Sequence, residues 1–196
     1  MGFVGSRRPA GRRVAGIMKY VALLKGINVG GQKKIQMADL KSMFEELGFA
    51  EVATYIQSGN VIFDTRPAQA EKLEQKIEAG IEQSFGFEVS VLVRTHEDLD
   101  QALTENPFGS MDPEQDGTRV MFTFLSSSPL SENARKVEAL VGLPEKLVVK
   151  STLAYLHCPN GYGKTRFSNT WIENRLKVRA TTRNWKSVLK LHQLSC

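Results

Sequence analysis

Cysteines and long apolar stretches are scarce in this sequence. The two cysteines, Cys158 and Cys196, lack the paired spacing of a metal site or a disulfide framework. This scarcity argues against a disulfide-stabilised secreted domain, and we expect a cytoplasmic protein with reduced thiols. The longest apolar runs are short pieces such as 20–24 and 89–93. They fall well below the length that spans a bilayer, so no membrane association is expected.

Recognisable catalytic motifs are also lacking. His96, His157 and His192 are scattered along the chain without the spacing of a zinc site. His157 and Cys158 are neighbours on a predicted strand, where adjacent side chains point to opposite faces, which disfavours a Cys–His dyad. The sequence therefore predicts no metal, no cofactor and no catalytic residue. It leaves enzymatic activity open, with the balance against it.

The charge is unevenly distributed along the chain. The formal net charge is +5, but residues 1–17 contain four arginines and no acid, and residues 163–190 hold eight basic side chains against Glu173 alone. The rest of the chain is therefore acidic. This asymmetry indicates either an anionic partner or simply solvated helix faces that carry lysine and arginine, and the sequence does not choose between them.

The hydrophobic pattern predicts an α+β fold made of two ferredoxin-like (β-α-β-β-α-β) subdomains. In the first, strands and helices alternate as 19–24, 37–47, 51–57, 60–64, a helix opened by Pro67, and a strand at 87–94. In the second, the order is 119–125, 129–141, 146–150, 152–157 and 168–178. No fourth strand is recognised there. A helix at 182–193, capped by Thr181 or Thr182, is expected to replace that strand and makes the second subdomain irregular.

These elements divide the chain into four segments. Residues 1–17 lack hydrophobic periodicity and are expected to be a disordered basic tail. A ferredoxin-like subdomain at 18–104 and a second one at 118–196 are expected on either side of a linker loop at 105–117. The resemblance between the two halves rests on the order of their elements alone.

A glycine-rich loop follows the first strand and is the main candidate for a binding site. In the expected fold this loop lies at the same sheet edge as the hairpin around Ser58-Gly59. Glycines allow backbone N–H groups to approach a ligand, and nearby lysines suit phosphate or carboxylate. An equal alternative is a structural loop whose glycines supply positive φ angles. The predicted ligand-binding residues here are Lys25, Gly26, Asn28, Gly30, Gly31, Lys33, Gln57, Ser58 and Asn60.

Two further segments have features that favour the binding of an anion. The segment 158–165, CPNGYGKT, ends like a phosphate-binding loop but has Cys158 where that motif requires its first glycine. NTP hydrolysis is therefore not expected from it. Arg179 and Arg183 flank the predicted start of the last helix, where an anion would be stabilised. Ordinary ion pairs for these arginines, with Trp185 as a core anchor, are the alternative that we favour.

Four segments together resemble one family: KGINVGG, IQMADL, TYIQSGNVIF and TTRNW. Residues 18–191 are similar to the bacterial proteins catalogued as domain of unknown function 1697. The resemblance implies a small cytosolic α+β protein of ferredoxin-like subdomains, and it implies no activity or catalytic residue. Residues that match the family pattern are Gly26, Asn28, Gly30, Gly31, Ser58, Gly59, Asn60, Arg183, Asn184 and Trp185. The arginine-rich residues 1–17 depart from it.

The function that these features favour is non-catalytic binding of a phosphate-bearing ligand, either a nucleotide or a nucleic acid. An enzyme acting on a small anionic metabolite, with Lys25, Asn28, Ser58 and Asn60 as polar contacts, is the first alternative. A protein–protein interaction module that uses a free sheet edge is the second.

Overall fold

The computed structural model describes residues 16–196. Its first strand begins at Met18, as the sequence predicts. The basic tail predicted for residues 1–17 lies almost wholly outside the described residues.

The first half forms a four-stranded antiparallel sheet with its helices. Its strands lie in the order β2-β3-β1-β4, and β3 pairs antiparallel with both β1 and β2. β1 and β2 therefore run in the same direction and end at the same sheet edge. The elements are β1 (Met18–Leu24), α1 (Met37–Glu46), β2 (Ala50–Tyr55), β3 (Asn60–Thr65), α2 (Ala70–Phe85), β4 (Val91–Thr95) and α3 (His96–Thr104).

The second half repeats this arrangement. Its strands lie in the order β6-β7-β5-β8, again with all neighbours antiparallel. The elements are α4 (Pro113–Asp116), β5 (Val120–Leu125), α5 (Ser131–Leu140), β6 (Lys146–Lys150), β7 (Leu153–His157), α6 (Asn169–Leu176), β8 (Ala180–Asn184) and α7 (Trp185–Leu194). The predicted α+β class is confirmed. The short helix α4 lies within the stretch predicted to be a linker loop, and the predicted segment boundaries stay predictions.

The prediction that a helix replaces the last strand of the second half is wrong. β8 is a strand that pairs along β5, and α7 begins only at Trp185. The strand is hard to recognise because its polar side chains are satisfied inside the protein: the Thr182 hydroxyl lies 2.9 Å from that of Thr123. The cap of α7 is Asn184, whose side chain accepts from the Ser187 N–H at 2.8 Å, and not a threonine.

The second helix also starts later than predicted. α2 begins at Ala70, so Pro67 precedes the helix and does not open it. The reason is a contact with the sheet, because the Tyr20 hydroxyl accepts from the Ala68 N–H at 3.1 Å and lies 3.3 Å from the Ala68 carbonyl oxygen. These bonds hold the chain before α2 against β1.

Three apolar clusters arrange the molecule in layers. One lies between the first sheet and helices α1 and α2, and another between the second sheet and helices α5 and α6. The central cluster joins the opposite faces of both sheets with α3 and α7. Its members include Val21, Leu23, Ile62 and Leu92 from the first sheet and Phe122, Phe124 and Tyr155 from the second. The two halves therefore bury each other.

Equivalent residues make equivalent contacts in the two halves. Arg94 stands opposite Val21 in the first sheet, and Arg183 stands opposite Phe122 in the second. The Arg94 guanidinium donates to the Leu125 carbonyl at 2.6 Å, at the end of β5. The Arg183 guanidinium donates to the carbonyl at the end of β1 at 2.7 Å. These reciprocal contacts give the repeat a residue-level signature that the sequence alone does not reveal.

Candidate functional site

The glycine-rich loop is longer than the fold requires. It connects β1 to α1 through residues 25–36, whereas the equivalent connection from β5 to α5 takes only residues 126–130. The second half thus shows that a short connection suffices for this geometry. Extra loop length at one sheet edge is typical of a binding function on a rigid scaffold.

Asn28 closes this loop and ties it to the neighbouring turn. Its side-chain amide donates to the carbonyls of Ile35 at 2.9 Å and Gln57 at 3.0 Å. Its side-chain oxygen accepts from the Ile35 N–H at 2.9 Å. Loop and turn meet at the sheet edge, as expected from the strand order. The Asn28 side chain therefore joins the two ends of the loop and links the loop to the turn.

A cleft of about 690 Å³ lies beside the closed loop. Of the predicted site residues, Asn28, Gly31 and Gln57 line it. Lys34, one of the lysines that the sequence places at this loop, lines it too. Sequence reasoning missed the rest of the site, which comes from the end of the loop and from two helices: Ile35, Gln36, Met37, Asp39 and Phe85. The cleft combines one cation, one carboxylate, side-chain amides and an aromatic ring.

The first turn of α1 forms part of this cleft. Gln36 precedes the helix in an extended conformation, and its side chain makes no capping hydrogen bond. The first N–H groups of a helix lack intrahelical acceptors, and the helix dipole adds a partial positive charge there. The Lys34 side chain adds to this positive potential, and the Asp39 carboxylate in the same turn opposes part of it.

Phe85 supplies the apolar wall. It is the last residue of α2 and half-buried, and its ring lies 6.4 Å from that of Phe87. The sequence contained a signal for this placement, because α2 follows β3 and must run back to the edge where β1 and β2 end.

Two of the predicted lysines have partners within the protein. The Lys25 ammonium forms an ion pair with Glu173 on α6. Lys33 donates to the Glu88 carbonyl at 2.6 Å. Both side chains therefore fix the loop to its surroundings, which leaves Lys34 as the lysine that lines the cleft.

Arg179 forms ion pairs with the first half, as the favoured alternative predicts. Its guanidinium donates to Glu78 at 2.7 Å and to Glu74 at 2.9 Å. The same carboxylates accept the N–H groups of Val91 and Val93 at 2.9 Å, so they also cap the outer edge of β4. Arg179 thus completes a structural network away from the cleft lining.

The prediction for Arg183 is wrong on both counts. It lies on β8 and not at a helix start, and it is only 8% exposed. Its guanidinium donates to the Asn60 side chain at 2.6 Å and to the Gly59 carbonyl at 3.2 Å, in addition to Leu24. Burial lowers the pKa of Arg183 to about 10. The arginine acts as a clamp between the halves, and no acidic side chain among residues 16–196 forms an ion pair with it.

The remaining predicted residues support the turn and the loop. Asn60 is fully buried and donates to the Ser58 hydroxyl at 3.0 Å as well as accepting from Arg183. Gly26 and Gly30 adopt positive φ angles of 67° and 60°, which allow the chain to reverse. These four residues shape the cleft without lining it.

The segment 158–165 does not form a phosphate loop. Its Tyr162–Lys164 part is a short 3₁₀-helix, and α6 begins only at Asn169. The Ser168 side chain already accepts from the Trp171 N–H at the start of α6. The sheet beside it is antiparallel, whereas a phosphate loop needs a parallel one.

A comparison with known protein families identifies the family of this chain. The family model described as "Protein of unknown function (DUF1697)" matches residues 17–155. The chain belongs to this family. The predicted resemblance is thereby confirmed, and the family carries no assigned activity.

A solved structure shows the same fold. The conserved bacterial protein SP0830 from Streptococcus pneumoniae is 27% identical to this family member, with a TM-score of 0.72. The match covers 92% of this chain and 100% of that protein. No curated protein matches the sequence.

Neither a membrane-spanning helix nor a metal-ion site is found in the part of the chain that the structure describes. Within residues 16–196, no helix has both the length and the apolar character needed to cross a bilayer. The same residues contain no group of three or more His, Cys, Asp or Glu side chains suited to holding a metal ion.

Proposed function

We propose that this protein binds a small phosphate-bearing ligand, of about mononucleotide size, in the cleft beside the glycine-rich loop. The observation that carries the proposal is the meeting of this loop, the start of α1 and the Lys34 side chain around one cavity. A volume of about 690 Å³ lies within the range of about 300–1,000 Å³ that is typical of small-molecule sites.

Each part of the cleft has a use for such a ligand. The phosphate group binds Lys34 and the first N–H groups of α1, because both favour negative charge. A planar base packs against Phe85. The carboxylate of Asp39 accepts hydrogen bonds from hydroxyl or amino groups of the ligand. The side-chain amide of Gln57 both accepts hydrogen bonds from such groups and donates to them.

A small molecule is favoured over a nucleic acid because the arginines of the basic C-terminal segment are engaged within the protein. Arg183 is buried, and Arg179 pairs with two glutamates. Lys186 lies 3.3 Å from Glu114, and the Arg175 guanidinium stacks over Trp171 at 4.4 Å. Phosphate backbones are bound chiefly by free lysines and arginines, and these side chains already have partners.

The proposal also includes a ferredoxin-like fold for each half and a location in the cytosol. The strand orders and the β-α-β-β-α-β sequence of elements support a ferredoxin-like assignment for each half. Both cysteines are free thiols, which supports a role in the reducing cytosol.

Isothermal titration and thermal unfolding against a panel of mononucleotides, phosphorylated metabolites and inorganic phosphate test this function. A ligand at ~100-fold its Kd is expected to stabilise the native state by ~2.7 kcal/mol. The variant Lys34→Ala should bind about tenfold more weakly, which corresponds to ~1.4 kcal/mol.

Lys41→Ala on α1 is the matched control, because its ammonium pairs with Glu45 and does not line the cleft. It should leave the affinity unchanged. Equal losses for the two variants, or no binding to any member of the panel at low ionic strength, would contradict the proposal.

A further inference from the structure

The fold brings together three side chains that the sequence shows as scattered. Helix α3 packs against α7, and the rings of His96 and His192 stack with centroids 4.3 Å apart. The exposed thiol of Cys196 lies 4.0 Å from the Nε2 atom of His96. His96 and His192, which are scattered in the sequence, are therefore neighbours in space, and a nucleophile and a base lie side by side here.

The hydrogen bonds determine which nitrogen of His96 faces the thiol as an acceptor. The Ser195 hydroxyl has one hydrogen, and it donates this hydrogen to the His192 carbonyl at 3.0 Å. Ser195 Oγ must then accept from Nδ1–H of His96, 3.1 Å away. Nε2 of His96 is consequently the unprotonated nitrogen. The Cys196 Sγ–H donates to the His192 carbonyl at 3.6 Å, and rotation of the S–H bond would turn this hydrogen toward Nε2, 4.0 Å from the sulfur.

The surroundings of this pair are acidic. A groove of about 420 Å³ runs beside His96 along α3, lined by His96, Glu97, Asp100, Gln101, Thr104 and Glu105. Asp100 also lies 3.1 Å from Nε2 of His192. The Asp100 and Glu105 carboxylates of this lining favour a positively charged molecule and disfavour an anionic one.

We propose that Cys196 is a modification site that forms a mixed disulfide with small, amine-bearing disulfides. His96 Nε2 takes the proton of the thiol, and the thiolate attacks one sulfur of the disulfide. A new S–S bond to Cys196 forms as the old S–S bond breaks, and the leaving thiolate takes up a proton. The electrons balance without a further oxidant, because the incoming disulfide is itself reduced.

Cys158 provides an internal control. It is 1% exposed, and its Sγ–H donates to the Arg119 carbonyl at 3.1 Å. Burial raises the pKa of Cys158 to about 11, so this thiol stays protonated and unreactive near neutral pH. The native protein is therefore expected to react at one cysteine only.

Intact-mass spectrometry of the folded full chain, with peptide mapping, tests the proposal. The wild type is incubated separately with cystamine, which is cationic, and with oxidised glutathione, which is anionic. We expect a single adduct on Cys196 that forms faster with cystamine. Glu105→Gln should reduce the difference in reaction rate between cystamine and oxidised glutathione.

The variant His96→Asn retains a side-chain N–H toward Ser195 but lacks Nε2. It should slow the reaction at Cys196 about tenfold, whereas the matched variant His157→Asn should not. Circular dichroism confirms that each variant is folded. An adduct on Cys158, equal rates for the two reagents, or an unchanged rate in a folded His96→Asn variant would overturn the proposal. The reaction does not depend on the glycine-rich loop, so ligand binding there is tested separately.

Discussion

At the scale of single residues, Arg183 shows how a charged side chain is used as a structural clamp. A buried arginine is costly unless all its donors find acceptors. Here neutral acceptors from both halves surround the guanidinium: the carbonyls of Leu24 and Gly59, the Asn60 side chain and the Thr181 hydroxyl. Asn60 and Arg183 belong to motifs that are far apart in the sequence. They therefore hold the same contact between the two halves.

Replacing Arg183 by alanine should lower the free energy of unfolding by about 3 kcal/mol, because several buried acceptors lose their donor. Arg183→Lys should recover only part of this loss, since an ammonium has fewer donors than a guanidinium. Urea denaturation measures both variants. Arg175→Ala, at the protein surface, is the control and should cost less than ~1 kcal/mol. Equal losses at positions 175 and 183 would contradict the clamp.

At the scale of elements, the turn between β2 and β3 is packed tightly against the base of the glycine-rich loop. Gly59 has a φ of 78°, and a β-carbon there would lie 2.7 Å from that of Leu24 and 3.0 Å from the Ile27 side chain. The glycine is thus required both for its backbone conformation and for its size. This close approach holds the turn, and with it Gln57, at the cleft.

Gly59→Ala should destabilise the protein by about 3 kcal/mol, through the cost of a left-handed alanine and the overlap with the loop. Gly86→Ala is a matched control, because Gly86 has a similar φ of 76° but open space around its α-carbon. It should lose only ~1 kcal/mol. Thermal and urea unfolding of both variants separate the cost of the left-handed backbone from the cost of the overlap with the loop. A similar loss in both would show that the turn has room for a side chain.

At the scale of the whole molecule, the two halves are joined by reciprocal contacts. Lys25 of the first half pairs with Glu173 of the second, and Arg179 of the second pairs with Glu74 of the first. The central cluster also takes apolar side chains from both sheets. Each half alone would expose one full sheet face to water.

We therefore expect the described region to unfold in one cooperative step. Trp185 lies in the central cluster and Trp171 beside the outer cluster of the second half, so Trp171→Phe leaves a fluorescent reporter of the shared core. Its urea transition should coincide with the loss of helix measured by circular dichroism. Two separate transitions would show that the halves unfold independently.

The sequence allowed much of the fold to be predicted because its local patterns are clear. The apolar run of β1 and the glycine after α2 indicated those elements, and Trp185 is the core anchor that was expected. β8 was missed because its inward polar groups find partners on other elements. Phe85 and Asp39 were missed as cleft residues because the signal for them lies in the order of the elements, which brings the end of α2 and the start of α1 to one sheet edge, and not in a local pattern.

The sequence by itself determined the class of fold, the shared direction of β1 and β2, the glycine-rich loop and the family. These depend on periodicity and on motifs, which are properties of neighbouring residues. Only the tertiary structure decided that Arg183 is buried, that Lys34 lines the cleft and that His96 meets Cys196. These facts depend on contacts between distant segments, because a side chain's partner, and not its type, decides whether it holds the fold or faces a ligand.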